Sequence, residues 1–203
     1  MQKAVKRVVI CFGLACFFWC GTLIADRQKL NQELIRLHVV ANSDSEPDQA
    51  IKLQARDAVT DSLRDAMESV ADVEEAKQWL QNNLQLIQNI ANETLKSAGS
   101  SDYAAVSLCK EVFDTRYYDT FTLPAGVYNA LRITIGEGAG RNWWCVVFPS
   151  LCVPATADGF EAAAASAGFS DTLSHTLTDK EEYEIRFFLL DALGKLENIF
   201  FEE

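Results

Sequence analysis

Histidine is scarce in this chain. His38 and His175 are its two copies in 203 residues. Neither belongs to an H-x-x-x-H or H-E-x-x-H string, so a zinc hydrolase is unsupported. The six cysteines add few metal ligands, because three of them fall in the first 20 residues; no metal site and no cofactor are expected. No G-x-S-x-G string occurs, so no nucleophile elbow is offered. Gly136, Gly138 and Gly140 are spaced G-x-G-x-G and precede an apolar strand pattern. A dinucleotide fingerprint needs G-x-G-x-x-G opening a helix. Positive charge is also lacking. The net charge is −11, which argues against nucleic acid as a partner, since phosphate binding needs clustered Lys and Arg.

The little positive charge there is sits unevenly. Residues 1–25 hold Lys3, Lys6 and Arg7 and no acid, while residues 26–203 carry the other 15 basic residues and all 29 acidic ones, a net −14. Val8–Ala25 is an uncharged run of 18 residues. As a helix it would be about 27 Å long, close to the ~30 Å of a bilayer core. It has no polar face. The basic residues before it should stay cytoplasmic and place the rest of the chain across the membrane. Residues 1–25 therefore read as a signal peptide or membrane anchor, and 26–203 as a single exported domain. Leu23 is a poor −3 residue for a cut after Ala25, and Gly13 is a poor match to a lipoprotein site at Cys16. A cleaved signal and a retained anchor both stay open.

The exported part reads as α+β. Asp26–Glu33 is polar, a linker or the start of a strand. Leu34–Val40 alternates, with Ile35, Leu37 and Val39 on one face and Arg36 and His38 on the other. After the Ala41–Ser45 turn, Glu46-Pro47 can open a helix. Its apolar positions are Ile51, Ala55, Ala58, Val59, Leu63, Ala66, Met67 and Val70. A second helix over Val73–Ala98 carries Ala76, Trp79, Leu80, Leu84, Ile87, Ala91 and Leu95, and the two form an αα-hairpin. The period then shortens. Tyr103–Phe113, Val127–Ile135 and Asn142–Phe148 read as strands, the last buried on both faces. The short 136–141 connector is read as flexible and favours antiparallel pairing of the strands it joins. Gly159–Gly168 reads as a surface helix or loop. Tyr183–Leu196 reads as a closing amphipathic helix with Ile185, Phe188, Leu189, Ala192 and Leu196 inward. Strands are thus expected to be mainly antiparallel, between an N-terminal membrane or signal helix and a C-terminal helix.

Two features outside regular patterning concern function. Cys145 and Cys152 would lie about 23 Å apart in a straight strand, and a disulfide needs Cα atoms within roughly 7 Å. A bridge requires a reversal, which Phe148-Pro149-Ser150 can supply; two free thiols are the alternative. Trp143 and Trp144 point to opposite faces of a strand, so one is core and the other can be a contact residue.

Three segments together resemble the stage II sporulation protein R family of endospore-forming bacteria. They are Ile35–Leu53 with Arg56-Asp57-Ala58-Val59, Leu123–Cys152, and Glu184-Ile185-Arg186-Phe187. The string Asn142-Trp143-Trp144-Cys145 after the glycine-rich connector is the most specific part. The resemblance implies a signalling protein, not an enzyme. It would be made in the forespore and exported into the space between the forespore and mother-cell membranes, either secreted or held by its N-terminal helix. There it would activate a membrane-embedded aspartic protease of the mother cell, which processes pro-sigma-E. No catalytic residue is expected. Arg36, His38, Asn42 and Asp44, with Glu137, Arg141, Asn142, Trp143 and Trp144, are the candidate partner-binding set. They could instead only brace the first strand and its turn. The competing function is an envelope carbohydrate-binding module or peptidoglycan hydrolase, with a Trp as sugar platform.

Overall fold

The computed structural model describes residues 2–118, 121–149, 165, 168–178 and 184–202. The first helix, α1 (Gln2–Glu33), runs without a break through the apolar run and the polar segment after it. Residues 26–33 are therefore helix, where a linker or strand was expected. Residues 4–22 are exposed, and Leu23, Arg27 and Leu30 are buried against the domain. By length and composition Ala4–Glu33 can cross a membrane, which suits an export signal or anchor.

Strand β1 (Ile35–Val40) follows at once, then α2 (Glu46–Ser69) and α3 (Val73–Ser97). Ser45 caps α2 by accepting the Asp48 N–H, with Pro47 in the first turn. Asp72 caps α3 by accepting the Glu75 N–H at 2.9 Å. At the far end Gly99 and Ser100 donate to the carbonyls of Lys96 and Leu95, the Schellman closure. The pair is the expected αα-hairpin. Its apolar stripes, Ala55, Val59, Leu63 and Met67 on α2 and Ala76, Leu80, Ile87, Ala91 and Leu95 on α3, are buried.

Strands β2 (Ala104–Phe113), β5 (Gly126–Ile135) and β6 (Asn142–Phe148) join β1 in one sheet of order β2-β5-β1-β6. A two-stranded ribbon of β3 (Arg116–Tyr117) and β4 (Thr122–Leu123) lies between β2 and β5 in sequence. β1 pairs parallel to β5 and antiparallel to β6. The expected hairpin of β5 with β6 is thus corrected: they run antiparallel, but β1 lies between them, and the 136–141 connector crosses its end. The reason is burial. All six residues of β1 are buried, a demand that only a central strand meets. β6 is an edge strand, and Asn142 and Trp143 in its first half are exposed, so it is not buried on both faces.

One face of the sheet, with Leu37, Val39, Leu131, Ile133 and Ile135, packs on α2 and α3. The other is covered by the end of α1, by α4 (Asp171–Thr178) and by α5 (Glu184–Glu202). Gly159–Gly168, except Ala165 and Gly168, falls outside the described residues. The helix α4, with Leu173 and Leu177 buried, has no counterpart in the sequence reading.

The orientation of α5 differs from expectation. Phe187, Leu190, Asp191 and Asn198 face the domain, while Phe188 and Leu196 are exposed. The deciding contact is at Gly194. A Cβ there would stand 1.8 Å from the Ala125 carbonyl oxygen, so only this face can approach the turn before β5. Asp191 fixes the same face. Its carboxylate accepts the Ala125 N–H at 2.9 Å and the Thr115 hydroxyl.

Candidate functional site

The nine candidate residues divide into three structural groups. The first is interior. Arg36 is 0% exposed. Its guanidinium lies 4.0 Å from the Phe113 ring centroid and 5.0 Å from that of Tyr128. It donates to the Tyr118 hydroxyl at 3.0 Å, while Nε and Nη1 have no partner. Burial pushes the Tyr128 phenol up to about 12. His38, also buried, is stacked on Trp144 at 5.6 Å between centroids. Its Nδ1 is 2.9 Å from Glu111 Oε1, and its Nε2 is 2.9 Å from Asn142 Oδ1. Arg132 donates to the same Glu111 oxygen at 2.7 Å. Arg116 covers Trp144 at 3.4 Å. Both ring nitrogens of His38 are engaged by side chains of the domain itself.

The second group is a brace. The Asn42 side-chain carbonyl accepts the Glu137 N–H at 2.9 Å, and its backbone carbonyl accepts the Ala139 N–H at 3.1 Å. Asp44 accepts the Arg141 N–H at 2.7 Å. A Cβ on Gly140 would meet the Ser43 carbonyl oxygen at 2.2 Å, so glycine allows the two turns to touch. From beneath, Lys52 donates to the Arg141 carbonyl at 2.9 Å and to Gln49 Oε1 at 2.7 Å. The connector read as flexible is a latched loop. Asp48 is held below the usual carboxylate range, first by the Ser43 hydroxyl at 2.5 Å, then by the Asn42 amide. Lys52 is held below the usual amine range, first by burial and then by Arg141.

The third group is what the brace presents. Glu137, Arg141, Asn142 and Trp143 are exposed on the loop and edge strand. The Arg56 guanidinium lies 4.3 Å from the Trp143 ring centroid, and Arg141 Nε is 3.5 Å from Asp44. The result is a patch of one indole, two guanidinium groups and flanking carboxylates, carried on a latched loop. Trp143 and Trp144 do point to opposite sides of β6. Cys145 is disulfide-bonded; Cys152 lies outside the described residues. Among the described residues no cluster of His, Cys, Asp and Glu is placed to hold a metal ion.

Sequence reasoning passed over Lys52, Glu111, Arg116 and Arg132, and quoted Arg56 without a role. Lys52 carried a usable signal, a cation on the same helical stripe as Ala55 and Val59. Glu111 and Arg132 carried none, because which strands are neighbours is not written in any one segment.

A family model described as Stage II sporulation protein R matches residues 31–158. A relative from Bacillus subtilis (strain 168), named Stage II sporulation protein R, is 34% identical over 182 residues, spanning 81% of each chain. No solved structure matches the chain. Every element from β1 to β6 falls within the matched span, and with them the brace, the interior network and the exposed patch.

Proposed function

Since the chain belongs to the stage II sporulation protein R family, we propose that it is the exported activator of a membrane-embedded aspartic protease of the mother cell, the enzyme that processes pro-sigma-E. Export would carry residues 34–196 into the space between the forespore and mother-cell membranes. Binding there would favour the active state of the protease by differential affinity. The observation that carries this reading is the latched 136–144 segment, which holds Arg141 and Trp143 outward on a support of Asn42, Asp44 and Lys52. A preformed loop of this kind loses little freedom on binding. Trp and Arg are the residue types that dominate such contacts.

The carbohydrate reading is weaker on geometry. A sugar platform needs an open indole face; Trp144 is stacked by both His38 and Arg116, and Arg56 takes one face of Trp143. The test is co-expression of the chain, the protease and pro-sigma-E in a non-sporulating host. Processing should require the chain and should fall when Arg141 or Trp143 becomes Ala in a protein that still folds. Processing without the chain would defeat the proposal.

A further inference from the structure

A cleft of about 820 Å³ opens where α1 meets the domain, between the end of α1, the start of α3 and α5. The apolar run fixes its position. Ile24, the last branched aliphatic of that run, lines the cleft, and so does Glu33, about 14 Å further along the helix. The headgroup layer of a bilayer is roughly 5–7 Å deep beyond the core. In a chain that keeps α1, the Ile24 end of the cleft therefore stands at the level of the lipid headgroups.

The lining is polar and balanced in charge, with Arg27, Lys77 and Lys110 against Glu33, Glu74 and Glu197. Some of these groups are matched within the domain. Arg27 pairs with Glu197, and Lys77 with Glu74 at 2.6 Å. Others are not. Lys110 makes no hydrogen bond or ion pair among the described residues. Glu33 has Lys29 at 3.9 Å, beyond hydrogen-bond distance. Asn31 donates through Nδ2 to both oxygens of Glu197 at 3.0 and 3.2 Å, which fixes the orientation of its amide and leaves Oδ1 buried without a partner. The cleft thus holds a spare cation beside spare acceptors. An anion alone would meet as many carboxylates as cations. A buried acceptor calls for an N–H donor, which a primary ammonium has and a quaternary amine lacks. We propose that the cleft takes the headgroup of a phosphatidylethanolamine from the leaflet that α1 leaves, its phosphate on Lys110 and its ammonium on Asn31 Oδ1 and Glu33. This inference does not depend on which protein the chain activates.

The test is native mass spectrometry of the full chain in neutral detergent micelles carrying equimolar dioleoyl phosphatidylethanolamine, phosphatidylcholine and phosphatidylglycerol. Phosphatidylethanolamine should be retained about 10-fold over each of the others, the size of one charge-assisted hydrogen bond. Lys110 is exposed on an edge strand, so Lys110→Gln should remove that preference and leave the circular dichroism and thermal midpoint unchanged. Equal retention of the three lipids would overturn the proposal. So would a preference for phosphatidylglycerol, or a phosphatidylethanolamine preference that survives Lys110→Gln. The soluble headgroup glycerophosphoethanolamine should bind at least about 10-fold more weakly than the lipid; equal binding would overturn the lipid as the source.

Discussion

The two faces of the central sheet reach the same burial by different chemistry. Under the αα-hairpin lie aliphatic side chains alone at the strand positions of Leu37, Val39, Leu131 and Ile133. On the other face, one residue along β1, Arg36 and His38 are buried among Phe113, Tyr128 and Trp144. The first face is held by apolar area. The second is held by rings stacked on charged groups, with Glu111 as the carboxylate to which His38 and Arg132 are joined. The contrast teaches that a charged residue in an alternating strand marks a second layer as readily as it marks solvent.

Substitutions can break this contrast or sharpen it. Leu37→Ala and Arg36→Ala should each destabilise by about 3 kcal/mol, since both leave cavities in buried sites, measured by thermal unfolding of the full chain in mild detergent. The conservative partner separates them. Arg36→Met should fall within about 1 kcal/mol of the parent, because it fills the volume and removes two buried nitrogens without partners. If Met is as damaging as Ala, the guanidinium contacts themselves hold the second face. His38→Ala should cost about 2 kcal/mol, as a buried ring is lost and the half-buried Glu111 carboxylate loses one of its two partners.

A smaller effect is set by pH. Burial would push the Asp191 carboxyl up, but Lys195, the Thr115 hydroxyl and the Ala125 N–H outweigh it, and the group sits below the usual range. A carboxyl with a depressed value stabilises the fold above its unfolded pKa, and that stabilisation is lost as pH falls through the folded value. Asp191→Asn should therefore flatten the loss of stability below about pH 4 while lowering stability at neutral pH. Smallest in stability is Trp143→Ala, about 0.5 kcal/mol for an exposed cation–π stack. If the patch is the partner surface, the same change lowers pro-sigma-E processing about 10-fold, as loss of an aromatic anchor does. Stability and processing falling together would instead make Trp143 a brace.

The same contrast explains how far the sequence could be read. The first face was legible because its helices have one apolar stripe each, and Val59 or Leu80 has only one place to go. α5 has two stripes. Phe188 and Leu196 form as good a pattern as Phe187 and Leu190, and the choice is made by Gly194 meeting Ala125, a contact 69 positions away in the chain. Residues 26–33 read as a linker or the start of a strand because their polar side chains hide the i, i+4, i+7 spacing of Leu23, Arg27 and Leu30, and a buried Arg is not counted as core. The β5–β6 hairpin failed for a related reason. A short connector says that two strands are close, and it does not say what is inserted between them. Of the candidate site, the loop and its exposed residues were legible from the sequence. That Asn42 and Asp44 support the loop from behind was held open as an alternative and is what their bonds do. No single segment could reveal Glu111 and Arg132 as partners of His38.

One feature of α1 reaches beyond packing. The helix has no joint between its apolar run and the turns keyed into the domain by Leu23, Arg27 and Leu30. It is a rod of about 48 Å, clamped at one end. In a chain that keeps this rod, tilt in the lipid becomes tilt of the domain. If the proposed activator role holds, the domain would be offered at a set angle, as a key on a stiff shaft rather than a float on a tether.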